Sequence, residues 1–147
     1  MPANDVALLD EVQCRELEAF LVDRIYEFNC ARTGYSDGKL LGASLRNEAG
    51  EIVAGLSGHT WGGCCAISCL WVSEHHRGQG LGRTILAAAE AQAVRRGCLQ
   101  VVLMTHSFQA PDFYARLGYE RKYAIAGLPK DHFDIVFVKS LEGGNGT

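Results

Sequence analysis

Three glycines at alternate positions, Gly78, Gly80 and Gly82, lie between Arg77 and Arg83 in the stretch LWVSEHHRGQGLGRTILAAAEAQAVRRG, which runs from Leu70 to Gly97. An apolar strand-like segment precedes them and a long helix-like segment follows. Glycine lets a backbone approach a ligand closely and turn several N–H groups toward it. The first turn of a helix adds partial positive charge. The chemistry on offer is anion binding, best suited to phosphate or pyrophosphate oxygens, with the two arginines at its ends. The plainer alternative is a tight strand-to-helix turn carrying solvated arginines.

Spacing separates the phosphate motifs. A Walker A loop ending at Gly82 needs glycine at position 77 and lysine at 83, where Arg77 and Arg83 stand. A dinucleotide GxGxxG starting at Gly78 needs glycine where Arg83 stands, and its strand should lie in a parallel βαβ unit. The pattern that fits is Arg-x-x-Gly-x-Gly at Arg77, Gly80 and Gly82. With VVLMT (Val101–Thr105) and APDFYARLGY (Ala110–Tyr119) downstream, the chain resembles the GNAT acetyltransferase superfamily over roughly Gly55 to Leu141. Within it, the segment THSFQAPDFYARLGY looks most like a small bacterial subgroup with an SFQAPxFY signature. Fold resemblance defines the cofactor better than the acceptor.

The resemblance implies acetyl-CoA as co-substrate, with its pyrophosphate on Arg77, Gly78, Gln79, Gly80, Leu81, Gly82 and Arg83. It implies that the pantetheine arm lies along the preceding strand, using main-chain groups of Leu70 and Val72. Ser107 and Gln109 are further candidate cofactor contacts, although many relatives carry asparagine where Ser107 stands. Tyr114 matches the tyrosine that protonates the departing thiolate in many relatives. A phenol, with a reference pKa of about 10, is protonated at neutral pH and suits that role. The alternative for Tyr114 is an aromatic that only packs beside Phe113.

The general base is not legible. A branch of the superfamily carries a glutamate on the strand before the glycine loop, but Cys64 to Val72 contains no carboxylate. Glu74, His75, His76, His106, His132 and Asp134 are chemically capable, and water is another route. By the same resemblance Tyr26, Asn29, Tyr35, His59, Trp61 and His132 are candidates to line an acceptor pocket. The expected reaction is acetyl transfer to a primary amine of a small molecule. The alternatives are a protein or peptide amine as acceptor, or a non-catalytic acyl-CoA-binding module.

The elements that must position these residues follow from periodicity. Asp5–Leu9 reads as a short strand. Asp10 to about Asn29 reads as an amphipathic helix through Val12, Leu17, Phe20, Leu21, Ile25 and Phe28. Lys39–Asn47 and Ile52–Trp61 read as a hairpin, and Cys64–Val72 as a third antiparallel strand. A helix from about Gly82 to Arg96 stops at Gly97. Leu99–Thr105 has the continuous apolar character of a strand covered on both faces. Pro111 opens a short helix ending at Gly118, and Tyr119–Ala124 and His132–Ser140 close the chain as strands. The expectation is an α/β (α+β) fold: one GNAT-like domain over 1–147, with residues 142–147 loose. Its central sheet is mixed and mostly antiparallel, of about six to seven strands flanked by helices.

Composition sets the outer bounds. At 147 residues the chain is long enough to bury one core without disulfides or a metal. Its formal charge of −3, with dispersed basic residues, argues against nucleic acid as a partner. No apolar run approaches the ~18 residues of a membrane span, and MPANDVALLDEV has no secretory h-region, so a cytoplasmic protein is expected. The six cysteines form no CxxC pair and read as small buried hydrophobes. Zinc on His59, Cys64, Cys65 and Cys69 is disfavoured, because adjacent strand residues point to opposite faces. No metal is expected. Dimers are common in the superfamily, so a homodimer is a candidate assembly.

Overall fold

Val101, Leu103 and Thr105 are buried while Met104 between them is exposed, the period of a strand with only one face in the core. The expectation of a strand covered on both faces does not hold here. The computed structural model describes residues 5–141, and the expected loose tail at 142–147 lies outside them. It divides into two units, Met1–Ser36 and Asp37–Thr147.

The first unit contains helix α1, Glu11–Thr33. Asp10 caps it by accepting from the Gln13 N–H, and the Gln13 side chain accepts in return from the Asp10 N–H, a capping box. Gly34 ends it at φ 80°, past the Asn29 read from sequence, because no earlier residue supplies a left-handed stop. Asp5–Leu9 is not a strand: it has no regular structure and all five residues are exposed. Asp10 is committed to the cap, and a strand needs a ladder partner for its N–H and C=O groups.

The second unit is built on strands β1 (Lys39–Arg46), β2 (Ile52–Trp61), β3 (Cys64–Val72), β4 (Gln100–His106), β5 (Glu120–Ala126) and β6 (Phe133–Ser140), with helices α2 (Leu81–Arg95) and α3 (Pro111–Arg116). The six strands lie in the order β1-β2-β3-β4-β6-β5. Only β3 and β4 pair in parallel. One face carries Leu41, Leu56, Cys65, Ile67, Val101, Leu103, Ile135 and Phe137, which form the core with Ile85, Leu86, Ala89 and Ala93 of α2 and Tyr114 of α3. Alanine at 89 and 93 leaves room for α2 to approach the sheet.

Polar ties fix α2 at both flanks of that core. Arg96 donates to the Leu40 carbonyl and the Thr60 hydroxyl, both at 3.0 Å. Glu90 accepts from Lys139 at 2.8 Å and from the Tyr119 hydroxyl at 3.3 Å. Its carboxylate, mostly shielded from water, is therefore paired and hydrogen-bonded, as a buried charge must be.

Candidate active site

The site begins with an irregularity in β3. The pairs Ser57↔Cys69 and Gly58↔Ile67 leave Ser68 as an extra residue, a β-bulge. A Cβ at Gly58 would overlap the Ala66 carbonyl oxygen, so glycine is required opposite the bulge. The parallel ladder between β3 and β4 runs only from Cys64↔Gln100 to Ile67↔Leu103. Beyond it, Cys69 to Val72 stays with β2 while Met104 to His106 stays with β6. A wedge opens between two strands whose facing edges have lost their ladder, so their backbone groups are available to an extended ligand.

Leu70 and Val72 lie on the β3 side of this wedge, and their side chains pack against the core. The chain then passes through a 3-10 turn at Glu74–His76, where the Ser73 hydroxyl and His76 Nδ1 are 2.6 Å apart. The glycine loop follows. Gly78 and Gly80 have φ of 79° and 78°, a conformation that carries a penalty for any side chain. Leu81, Gly82 and Arg83 are the first residues of α2, and their N–H groups have no intrahelical acceptor. These donors, behind the left-handed backbone of Gly78 and Gly80, are an arrangement suited to an anion.

Arg83 is exposed at its helical end, and no acidic residue lies in the first turn of α2. Arg77 is also exposed, but its Nε–H donates to the Val72 carbonyl at 3.1 Å. Its guanidinium ties the loop back to β3 and keeps its outer N–H groups for a ligand. Gly82 has a packing part beside the one its spacing suggests. A Cβ there would sit 3.3 Å from Phe113 Cζ and 3.6 Å from Val72 Cγ2. It is a packing glycine that draws the end of β3, the start of α2 and helix α3 together.

That contact brings the loop and Tyr114 to one place. The Tyr114 ring meets Phe113, Tyr119 and Phe137 at centroid distances of 5.0, 5.8 and 6.0 Å. Burial raises the phenol pKa, which keeps it protonated. Its hydroxyl makes no protein hydrogen bond among the described residues, yet no described side-chain polar atom is both fully buried and unsatisfied. The hydroxyl is therefore not fully enclosed, and its proton is not committed to another described residue.

Ser107 and Gln109 hold the connection from β4 to α3. Ser107 Oγ accepts from the Phe133 N–H at 3.1 Å, and Gln109 Oε1 accepts from the His106 N–H at 2.8 Å and from the Thr105 hydroxyl at 3.2 Å. Their side-chain oxygens shape the loop, leaving the Ser107 hydroxyl proton and the Gln109 amide N–H groups for a ligand. Gly58 and the bulge at Ser68 were missed from sequence, although a glycine inside a strand is a recognised bulge signal. Of the acceptor-pocket candidates, His59, Trp61 and His132 belong to the second unit, and Tyr26, Asn29 and Tyr35 to the first.

Comparison with known proteins agrees with this geometry. A family model described as "Acetyltransferase (GNAT) family" matches residues 6–119. An acetyltransferase of Agrobacterium fabrum is 35% identical over 114 residues, covering 78% of this chain and 83% of that protein. A blasticidin-S acetyltransferase of Streptomyces morookaense is 39% identical over 95 residues, covering 64% of this chain and 70% of that protein. The crystal structure of an acetyltransferase from Bacillus cereus superposes with a TM-score of 0.79 at 26% identity, covering 96% of this chain and all of that one.

Proposed function

This chain belongs to the acetyltransferase (GNAT) family, and on that premise we propose that it transfers an acetyl group from acetyl-CoA to a primary amine of a small molecule. The observation that carries the reading is the wedge between β3 and β4 leading, past the left-handed Gly78 and Gly80, into the unpaired first N–H groups of α2. An extended amide-bearing arm matches the wedge edges, and a pyrophosphate matches those N–H groups. Arg77, Gly78, Gln79, Gly80, Leu81, Gly82 and Arg83 hold the diphosphate, and main-chain groups of Leu70 and Val72 hold the arm. Ser107 and Gln109 offer donors at the other side. The similarity to an acetyltransferase whose name gives blasticidin S as its substrate supports a small-molecule acceptor.

The neutral amine attacks the thioester carbonyl directly. The C–N bond forms, the C–S bond breaks, and the thiolate takes the proton of Tyr114. The surplus proton of the amine leaves to solvent or to a base. The test is a screen of small amines that follows free thiol release from acetyl-CoA, with acetyl-CoA binding measured in parallel. Micromolar binding and turnover on at least one amine are expected. Binding without turnover on small amines, but with turnover on peptide amines, would move the acceptor to protein. Binding with no turnover at all would make the chain an acyl-CoA-binding module.

A further inference from the structure

We infer that His106 is the general base that takes the proton from the acceptor ammonium, with Asp134 and the Leu128 carbonyl as its positioning groups. The inference rests on the proposed acetyl transfer. His106 is the last residue of β4, three residues beyond the final β3–β4 pair at Leu103, which places it about 10 Å further along the opening strand. Its side chain alternates with that of buried Thr105, so it projects from the face of the sheet opposite α2 and α3. Tyr114 packs on the helix side of the sheet, and His106 stands at the end of β4 on the other side.

The ring is held from three directions. His106 Nδ1 lies 3.1 Å from the Leu128 carbonyl oxygen and 3.6 Å from Asp134 Oδ1. A carbonyl oxygen can only accept, so Nδ1 carries the proton and Nε2 carries the lone pair. Asp134 is the direct cross-strand partner of His106, and its carboxylate is largely shielded from water. Together with the Leu128 carbonyl it holds the orientation of the ring. Phe108 stacks on the ring at 5.3 Å and 10°, which fixes its plane. Phe108 also meets His132 edge-on at 4.8 Å.

Nε2 has no protein partner among the described residues, and a third of the His106 side chain is open to solvent. A shielded carboxylate, a carbonyl and a stacked ring on one side, with a free lone pair on the other, make a base rather than a packing histidine. The proton balance closes. R–NH3+ gives one proton to Nε2 and the resulting amine forms the C–N bond. As the C–S bond breaks Tyr114 protonates the thiolate, the second N–H proton of the adduct passes through solvent to restore the Tyr114 phenol, and the imidazolium releases the first proton to water. The titratable groups facing the ring are Asp134 on β6 and, across Phe108, His132 in the β5–β6 connection.

The experiment compares wild type, His106→Gln and Asp134→Asn by thiol release, using amines of graded basicity at pH 6.5 to 9.5, with acetyl-CoA binding as a control. His106→Gln is expected to lower kcat about 10²- to 10⁴-fold for strongly basic amines near pH 7, with cofactor affinity unchanged. The deficit should shrink for weakly basic amines and toward high pH, where the amine is already neutral. Asp134→Asn should show a smaller loss with the same dependence on amine basicity. Added imidazole should partly restore His106→Gly and leave Tyr114→Phe unaffected. Wild-type kcat in a folded His106→Gln protein, or a deficit independent of amine basicity, overturns the base assignment alone. A wild type that binds acetyl-CoA and turns over no amine overturns the acetyl-transfer reading, and this inference with it.

Discussion

Replacing Tyr114 by Phe isolates the proton that the proposed mechanism uses. The ring contacts with Phe113, Tyr119 and Phe137 all survive the change. The hydroxyl makes no hydrogen bond among the described residues, so none of the roughly 0.5–1.5 kcal/mol of an ordinary internal bond is lost. Stability should shift by less than about 0.5 kcal/mol, under about 2 °C in Tm for a chain of this size. The effect on turnover should be far larger, because a general acid typically supplies a factor of about 10² to 10⁴. Burial raises the phenol pKa, so the wild-type proton is in place throughout the neutral range and the deficit should be flat from pH 6 to 9.

The assay is thiol release with a saturating amine, in single turnover so that chemistry is observed. A donor with a better leaving group needs less proton assistance and should narrow the gap between variant and wild type. Acetyl-CoA affinity should be unchanged. Wild-type single-turnover rates in Tyr114→Phe would refute the acid role and leave Tyr114 as a packing residue. Tyr114→Ala provides the contrast, since emptying the aromatic cluster should cost about 3–5 kcal/mol whatever the mechanism.

Gly80→Ala should weaken acetyl-CoA binding at least tenfold with about 1–2 kcal/mol of destabilisation, because φ is 78° but the space around it is open. Gly82→Val should instead lower Tm by pressing on Phe113 and Val72; calorimetry and isothermal titration separate the two outcomes, and an unaltered Tm would remove the packing role. Lys139→Met should cost about 2–4 kcal/mol by stranding the shielded Glu90 carboxylate, and the Glu90→Leu/Lys139→Met pair should cost less than the sum of the single changes in a denaturation cycle. Burial, then Cys98 and Cys64, pushes the Cys65 thiol up to about 11. The folded state thus holds that proton more tightly than the unfolded chain, whose thiol titrates near 8.5. Its stabilising contribution is complete below about pH 8.5 and is lost as pH rises toward 11. Cys65→Ala should flatten the fall of Tm over that window, and an identical slope would discard the assignment.

The spacing of Arg77, Gly80 and Gly82, with FYARLGY downstream, was enough to point to the family and to the strand-to-helix turn with left-handed glycines at the start of α2. These are local properties: a glycine's φ and a helix's first donors depend on nearby residues. Strand and helix order was legible for the same reason, since periods of 2 and 3.6 are written along the chain. Asp5–Leu9 failed as a strand because pairing is supplied by a partner elsewhere in sequence. The continuous apolar run of β4 looked covered on both faces, yet its alternate residues divide between the core and an exposed face. Gly82 was assigned to ligand approach, and its close packing on Phe113, a neighbour 31 positions away, could be seen only in the structure. His106 and Asp134 could only be named among several capable groups, because nothing in sequence says that positions 28 residues apart are cross-strand partners. Local conformation was determined by the sequence itself. Which side chains meet across the wedge was decided by sheet register, and register is set by the whole fold.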